Sequence, residues 1–308
     1  MERAAPAGGP CRDIIADTMT LTQDKIRPAR KTPRAGQWWL VVPAMLTLVV
    51  FFFVPLGLLI GISFSGDTPL AAYSRLLGSA AMMKILTNTL VISAITTLAC
   101  ALLAVSFCLA LRNLPKGLAQ TALLATTLPM WISILVRTYA WLYLLAREGV
   151  VNSALTGLGL LEDPLSLLFN GGAVGIGMVH VLLPYMLLPV HQAIAGLDPQ
   201  FVQAGRSLGA GPLRTFLTIE LPLIWRGIVT GSILVFVLSL GFYVTPQMLG
   251  GASNTMLAMY IDVLANTFLD WPRAAAAAVI LMIGVFLCIG VLLLLRGGAG
   301  AGRRVSDA

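Results

Sequence analysis

Charge is scarce in this 308-residue chain: 11% of its residues are Asp, Glu, Lys or Arg, against roughly 25% in soluble domains. With 58% hydrophobic residues and a mean hydropathy of +0.89, a soluble globular class is excluded. Cysteine is sparse. Cys11, Cys100, Cys108 and Cys288 are scattered, with no Cys-x-x-Cys pair and no neighbouring His, which argues against a disulfide or metal role. His180 and His191 stand eleven residues apart, too far for ligands on adjacent turns of one helix. No metal site and no cofactor is expected. No Gly-x-x-x-x-Gly-Lys-[Ser/Thr] loop occurs, so the chain is not expected to cradle ATP phosphates or to be an enzyme. The glycine clusters 171–177 and 297–302 lack the required Lys; the first reads as a close-packed helix start and the second as a flexible tail.

Acids are missing from the apolar interior as well. All 13 lie in the termini, in outer segments or in one inner loop. A proton- or sodium-coupled transporter normally needs carboxylates or broken helices at membrane depth, so that alternative loses ground. No nucleophile-base constellation supports a membrane-embedded enzyme.

What remains is a set of long uncharged runs: 35–66, 85–111, 117–136, 164–197, 227–261 and 274–295. Each reaches the roughly 20 residues that cross a bilayer core as a helix. The expected architecture is therefore all-α and polytopic, with six spans near 40–63, 86–111, 118–145, 173–194, 227–249 and 274–295. Fifteen of the 20 Lys and Arg fall on one side of these spans and four on the other, with Arg137 inside the third. By the positive-inside rule both termini and the 198–226 loop are cytoplasmic. The net charge of +7 is a topology signal, split among four segments rather than forming one face for nucleic acid. Residues 1–37 lack the apolar stretch of a signal peptide and read as a disordered cytoplasmic extension, with Met19 an alternative start. Trp38 and Trp39 mark the interface of the first span. Residues 38–296 form the membrane domain and 297–308 a cytoplasmic tail.

The 198–226 loop carries its own structure. Asp198 can cap a helix that begins at Pro199, Gly209 can end it in a left-handed conformation, and Gly211-Pro212 can start the next. Ala204, Gly209, Ile219, Leu221 and Pro222 keep the spacing of the cytoplasmic signature of ABC-importer permeases, which this loop resembles. Gln203 stands where that family has Glu, and Gly205 where it has a second Ala, so the charged anchor is absent. The segment from Pro129 through Trp131 and Arg137 to Trp141, then Gly149–Ser153 and His180–Pro189, is similar to spermidine/putrescine-type permeases. With the loop, the similarity covers roughly residues 85–295. It implies the type I importer permease fold in a bacterial inner membrane and ATP-driven uptake of a polyamine or a related small organic solute. The implied partners are a second, non-identical permease, two ATP-binding subunits and a periplasmic solute-binding protein. It also implies that Phe201, Gln203, Ala204, Gly205, Leu208, Gly209, Ile219, Leu221 and Pro222 contact the ATPase. With the Glu absent, Phe201, Ala204 and Leu208 are expected to dock by shape and apolar contact.

Arg137 needs compensation, since insertion scales assign a charge at mid-membrane roughly 2.5–3.5 kcal/mol. Two readings stay open: it faces the translocation interface, or it snorkels to headgroups. Trp131, Tyr139, Trp141, Tyr185, Phe242, Tyr243 and Gln247 combine ring faces with polar tips and are the remaining pathway candidates. Gly57-x-x-x-Gly61 and Gly227-x-x-x-Gly231 are expected at close helix crossings. Residues 148–170 read as a short helix on the outer surface, where a solute-binding protein can dock.

Overall fold

The computed structural model describes the backbone of residues 38–65 and 70–298, and the side chains of 41–65 and 70–290. The extension 1–37, most of the tail, and the side chains of Trp38 and Trp39 lie outside the described residues. All regular structure among the described residues is helical. Five helices are long and apolar enough to cross a membrane: Val41–Ser63, Ala80–Leu111, Gly171–Ala195, Pro212–Leu240 and Trp271–Gly290. A bent pair, Lys116–Trp131 with Ile134–Gly157, makes a sixth span. The all-α polytopic expectation holds.

The chain divides between Leu56 and Gly57. In the first unit Pro43 and a π turn at Val49–Phe53 interrupt the regular hydrogen-bond ladder of an apolar helix. Every functional feature described below belongs to the second unit.

Its core is the mutual packing of Ala80–Leu111, Gly171–Ala195 and Pro212–Leu240. Helix 80–111 buries one stripe at spacings of three and four: Met82, Ile85, Thr89, Ser93, Thr96, Cys100, Ala104, Cys108 and Leu111. Most of these side chains are small or weakly polar, while Leu90, Val91, Ile95, Leu98, Leu102 and Leu103 point outward. Lipid is as apolar as Leu, so the packed face is chosen by size and fit rather than by hydrophobicity. Gly227 and Gly231 act in the same way. A Cβ at Gly227 would run into Ala193 and the Pro189 carbonyl, and one at Gly231 would lie 2.6 Å from Met186 Sδ. The other expected glycine pair finds no such neighbour: nothing among the described residues lies within 4 Å of a Cβ placed on Gly57 or Gly61.

Two spans depart from the expected ones. The third is not continuous over 118–145. A 3₁₀ turn at Leu128–Trp131 is followed by an extended Ile132 and a non-helical Ser133, and the two halves bend by 103°. Pro129 supplies no N–H to a helical ladder there, and the uncharged run carried no mark of the change. The expectation that broken helices are absent is thereby overturned, and the case against an ion-coupled transporter rests on the missing carboxylates. The fifth span starts at Pro212, fifteen residues earlier than Gly227, and stops at Leu240. Continuing it would drive the Pro246 ring against the carbonyl four residues back; instead Gly241 ends the helix and Val244–Leu249 forms a separate short one. That short helix packs against 134–145 and 171–195, where Thr138 and Thr245 share a hydrogen bond of 3.3 Å.

Polar side chains tie down the connections. The short helix Val150–Gly157 appears within the 148–170 segment, and its buried Asn152 clamps both ends of the connection. Asn152 donates to the carbonyls of Ala146 (3.1 Å) and Leu165 (2.9 Å) and accepts from the Leu165 N–H (3.0 Å). At the last span Asp270 accepts from the Arg273 backbone N–H and pairs with its guanidinium. Burial pushes the Asp270 carboxyl up, but those hydrogen bonds and the charges of Arg273 and Arg75 outweigh it and hold the group below the usual range. A depressed carboxyl stabilises the fold above its unfolded pKa, and that contribution fades as pH falls through the folded value. Removing the Asn152 amide leaves the Leu165 N–H without a partner and takes a second donor from the Ala146 and Leu165 carbonyls, which keep those from Gly149 and Leu167. Asn152→Ala is expected to lose about 1–3 kcal/mol, read as a lower thermal unfolding midpoint in detergent, while Ser153→Ala next to it stays at the wild-type midpoint.

Candidate functional site

The loop helix forms over Pro199–Ser207 because both ends are fixed locally. Asp198 Oδ1 accepts from the Gln200 N–H at 2.9 Å, and Pro199 occupies the first helical position. At the other end the Gly209 N–H reaches the Arg206 carbonyl (2.9 Å) and the Ala210 N–H the Gly205 carbonyl (3.1 Å). Gly209 has φ of +80°, the left-handed conformation expected of it. Val202 and Gly205 are the buried residues of this helix. A Cβ on Gly205 would meet the Ile219 side-chain tip, with Thr215 just beyond, so Gly205 seats the helix against the start of the 212–240 span.

The opposite edge is open. Phe201 is 55% exposed and Leu208 89%, with Gln203, Ala204 and Gly209 also exposed. The remaining members of the sequence-derived set divide: Ile219 and Leu221 are half-buried and Pro222 is exposed. Sequence reasoning missed Leu213, 70% exposed, and Leu217, which extend the apolar ridge onto the next helix. It also missed the contact that ties the loop down. Glu220 is buried, and its Oε2 lies 2.7 Å from Arg112 Nη1 at the end of helix 80–111. These two residues, with Leu109, Asn113, Arg206, Pro212 and Phe216, line a cleft of about 370 Å³.

The membrane-depth candidates fall into separate groups. Trp141 donates through Nε1 to His180 Nδ1 at 3.0 Å, joining helices 134–145 and 171–195. Arg137 is half-buried on the same side, within electrostatic reach of Tyr185 and His180. Its Nε and Nη1 are buried without a partner among the described residues. Trp131 at the bend is 91% exposed, Tyr139 is exposed as well, and neither makes a side-chain hydrogen bond among the described residues. Phe242 is half-buried, while Tyr243 and Gln247 are exposed in the break after the fifth span. Tyr243 donates to Asp262 Oδ2 (3.0 Å), which Asn266 also engages through Oδ1 (2.6 Å). The hydrogen bond to Asp262 chiefly, with burial and that carboxylate's charge, raises the Tyr243 pKa and keeps it a donor. Nothing in the local sequence paired Tyr243 with an acid nineteen residues on.

The ion pair is testable on its own. Glu220→Ala strands Arg112, itself about a third exposed, so a loss of about 1–3 kcal/mol is expected after allowing for solvent screening. A double-mutant cycle with Arg112→Ala in thermal unfolding should return a coupling of at least about 0.5 kcal/mol. Strict additivity of the two single changes would show that the pair does not hold the loop.

No family model matches the chain. The spermidine/putrescine transport system permease protein PotB of Salmonella typhimurium is 33% identical over 271 residues, covering 84% of this chain and 93% of that protein. PotB of Escherichia coli K12 is 34% identical over 245 residues, covering 77% and 89%. The inner membrane ABC transporter permease protein YdcU of the same organism is 37% identical over 188 residues, 57% of this chain and 60% of that one. A crystal structure of a bacterial ABC transporter involved in the import of the acidic polysaccharide alginate superposes with a TM-score of 0.68. That match covers 96% of this chain and 99% of the other at 18% identity, a likeness of fold. Helices chosen by fit, a helix-bearing loop fixed at both ends and kinship over most of the length converge: the chain belongs to the spermidine/putrescine-type family of ABC-importer permeases.

Proposed function

We propose that the chain is one of two non-identical membrane subunits of an ATP-driven importer for a polyamine or a related small organic solute. It works with two ATP-binding subunits on the cytoplasmic side and a periplasmic solute-binding protein outside. The observation that carries the reading is the loop helix 199–207. Its buried side is seated through Gly205 on the 212–240 span, while Phe201 and Leu208 stand out from it. A helix held on one side and offering large apolar groups on the other suits a docking knob. The kinship to PotB, a protein named for spermidine and putrescine transport, supports the solute class.

The Lys and Arg distribution supports a cytoplasmic position for both termini and the loop. ATP hydrolysis belongs to the partner subunits, and the chain converts their closure into a rearrangement of its spans. The broken third span supports a pathway or subunit contact beside Trp131. Irregular backbone at membrane depth is tolerated where it is buried in protein or lines a water-filled cavity, not where it meets lipid. Arg137, on helix 134–145, positions helices rather than binding the solute, since its charge would repel a polyamine.

Nothing among the described residues lies within 4 Å of a Cβ at Gly209, so within this chain substitution there acts through backbone conformation. Gly209→Val places a β-branched residue at φ of +80° and costs about 1–3 kcal/mol locally. Uptake of labelled spermidine or putrescine by cells carrying the complete transporter is expected to be lost in Gly209→Val at normal membrane abundance. Gln203→Ala, exposed and neutral, is expected to retain most of it. Normal uptake by Gly209→Val, or complete loss in Gln203→Ala, would contradict this use of the loop.

A further inference from the structure

The cleft beside the loop helix has an unbalanced charge. Two acids belong to the 198–226 segment, and both are spent within the chain. Asp198 caps its own helix, and Glu220 is buried against Arg112. Gln203 is neutral. Arg206 lines the cleft, is exposed, and makes no ion pair with any described residue; Arg214 on the following turn is exposed and equally free of one. The surface around Phe201, Leu208 and Leu213 is therefore apolar at its ridge and cationic in its recess.

We infer that the ATP-binding partner carries a carboxylate that enters this cleft and pairs with Arg206, so that docking is anchored by a cation on the permease and an acid on the ATPase. This rests on the reading of helix 199–207 as the ATPase contact and adds the chemistry of the partner surface. Charge complementarity selects the occupant. A guanidinium in a recess of about 370 Å³ presents its fork to one planar carboxylate, the geometry Arg matches best. Anionic lipid headgroups are the competing source of negative charge at a cytoplasmic surface. Lipid-binding segments gather four to eight basic residues, whereas the 198–226 segment holds three, Arg206, Arg214 and Arg226, beside an exposed Phe201 and Leu208 that suit protein contact. Glu220 adds direction, because its bond holds Arg112 back and leaves Arg206 as the cation free to receive a partner.

The test measures binding of the transporter's ATP-binding subunit to the full-length chain in nanodiscs of neutral phosphatidylcholine, and again in discs containing phosphatidylglycerol. Arg206→Glu is expected to weaken binding roughly tenfold or more and Arg206→Lys by only a few-fold, with thermal unfolding midpoints unchanged. Wild-type affinity should fall as salt rises from about 0.05 to 0.5 M, and that dependence should be shallower in Arg206→Ala. Wild-type binding that is indifferent to Arg206→Glu would overturn the charge assignment while leaving the docking helix in place. An effect of Arg206→Glu seen only in phosphatidylglycerol discs would assign the residue to lipid and overturn it too. No binding by the wild-type chain in either disc would overturn both the anchor and the docking reading beneath it.

Discussion

The contact on which the rest depends is the crossing of helix 212–240 over helix 171–195 at Gly227 and Gly231. There the glycines lie against Pro189, Ala193 and Met186 with no room for a side chain. In a bilayer no hydrophobic gain separates one apolar face from another, so two helices hold each other by van der Waals fit. The consequence reaches beyond stability. Helix 212–240 begins inside the polar loop, passes through a π turn at Phe216–Glu220 and continues to Leu240 with no extended residue between. Whatever moves its polar end moves a rod already locked to the central helix of the core.

Two contacts connect that rod to the loop helix and to the second span. Gly205 brings helix 199–207 against Ile219 and Thr215, and the Arg112–Glu220 pair fastens the same stretch to the end of helix 80–111. The loop helix, the 212–240 rod and the 80–111 span thus meet within a few residues of one buried carboxylate. Force applied to Phe201 or Leu208 has short, packed routes into two of the three core helices. Other connections are fastened by hydrogen bonds at Asn152 and among Tyr243, Asp262 and Asn266, and by the local Asp270–Arg273 pair, whereas the Arg112–Glu220 pair joins segments 108 residues apart.

Local signals were legible where physics is local. Uncharged runs located the spans because each charge at membrane depth is expensive. Asp198, Pro199 and Gly209 announced the loop helix because caps are set by adjacent residues, and Gly227-x-x-x-Gly231 announced a close crossing. The bend at 128–133 was hidden, since hydropathy says nothing about backbone dihedrals and Pro129 is tolerated in many membrane helices. The start of the fifth span was misplaced because Arg214, Glu220 and Arg226 read as loop, although a helix can carry charges on the turns that leave the bilayer. Arg112 and Glu220 are 108 residues apart, and only packing could pair them. The buried stripe of helix 80–111 was equally silent, because Thr, Ser, Cys and Ala alternate with Leu by size rather than by polarity.

The central claim is that this chain moves solute on energy delivered to its cytoplasmic loop by ATP-binding partners. It is tested most directly in proteoliposomes holding the complete transporter with its solute-binding protein, in which labelled spermidine accumulation is followed as the energy source is changed. The account predicts accumulation that requires ATP on the loop side and persists when proton and sodium gradients are collapsed. Accumulation driven by an imposed ion gradient with ATP absent would contradict it.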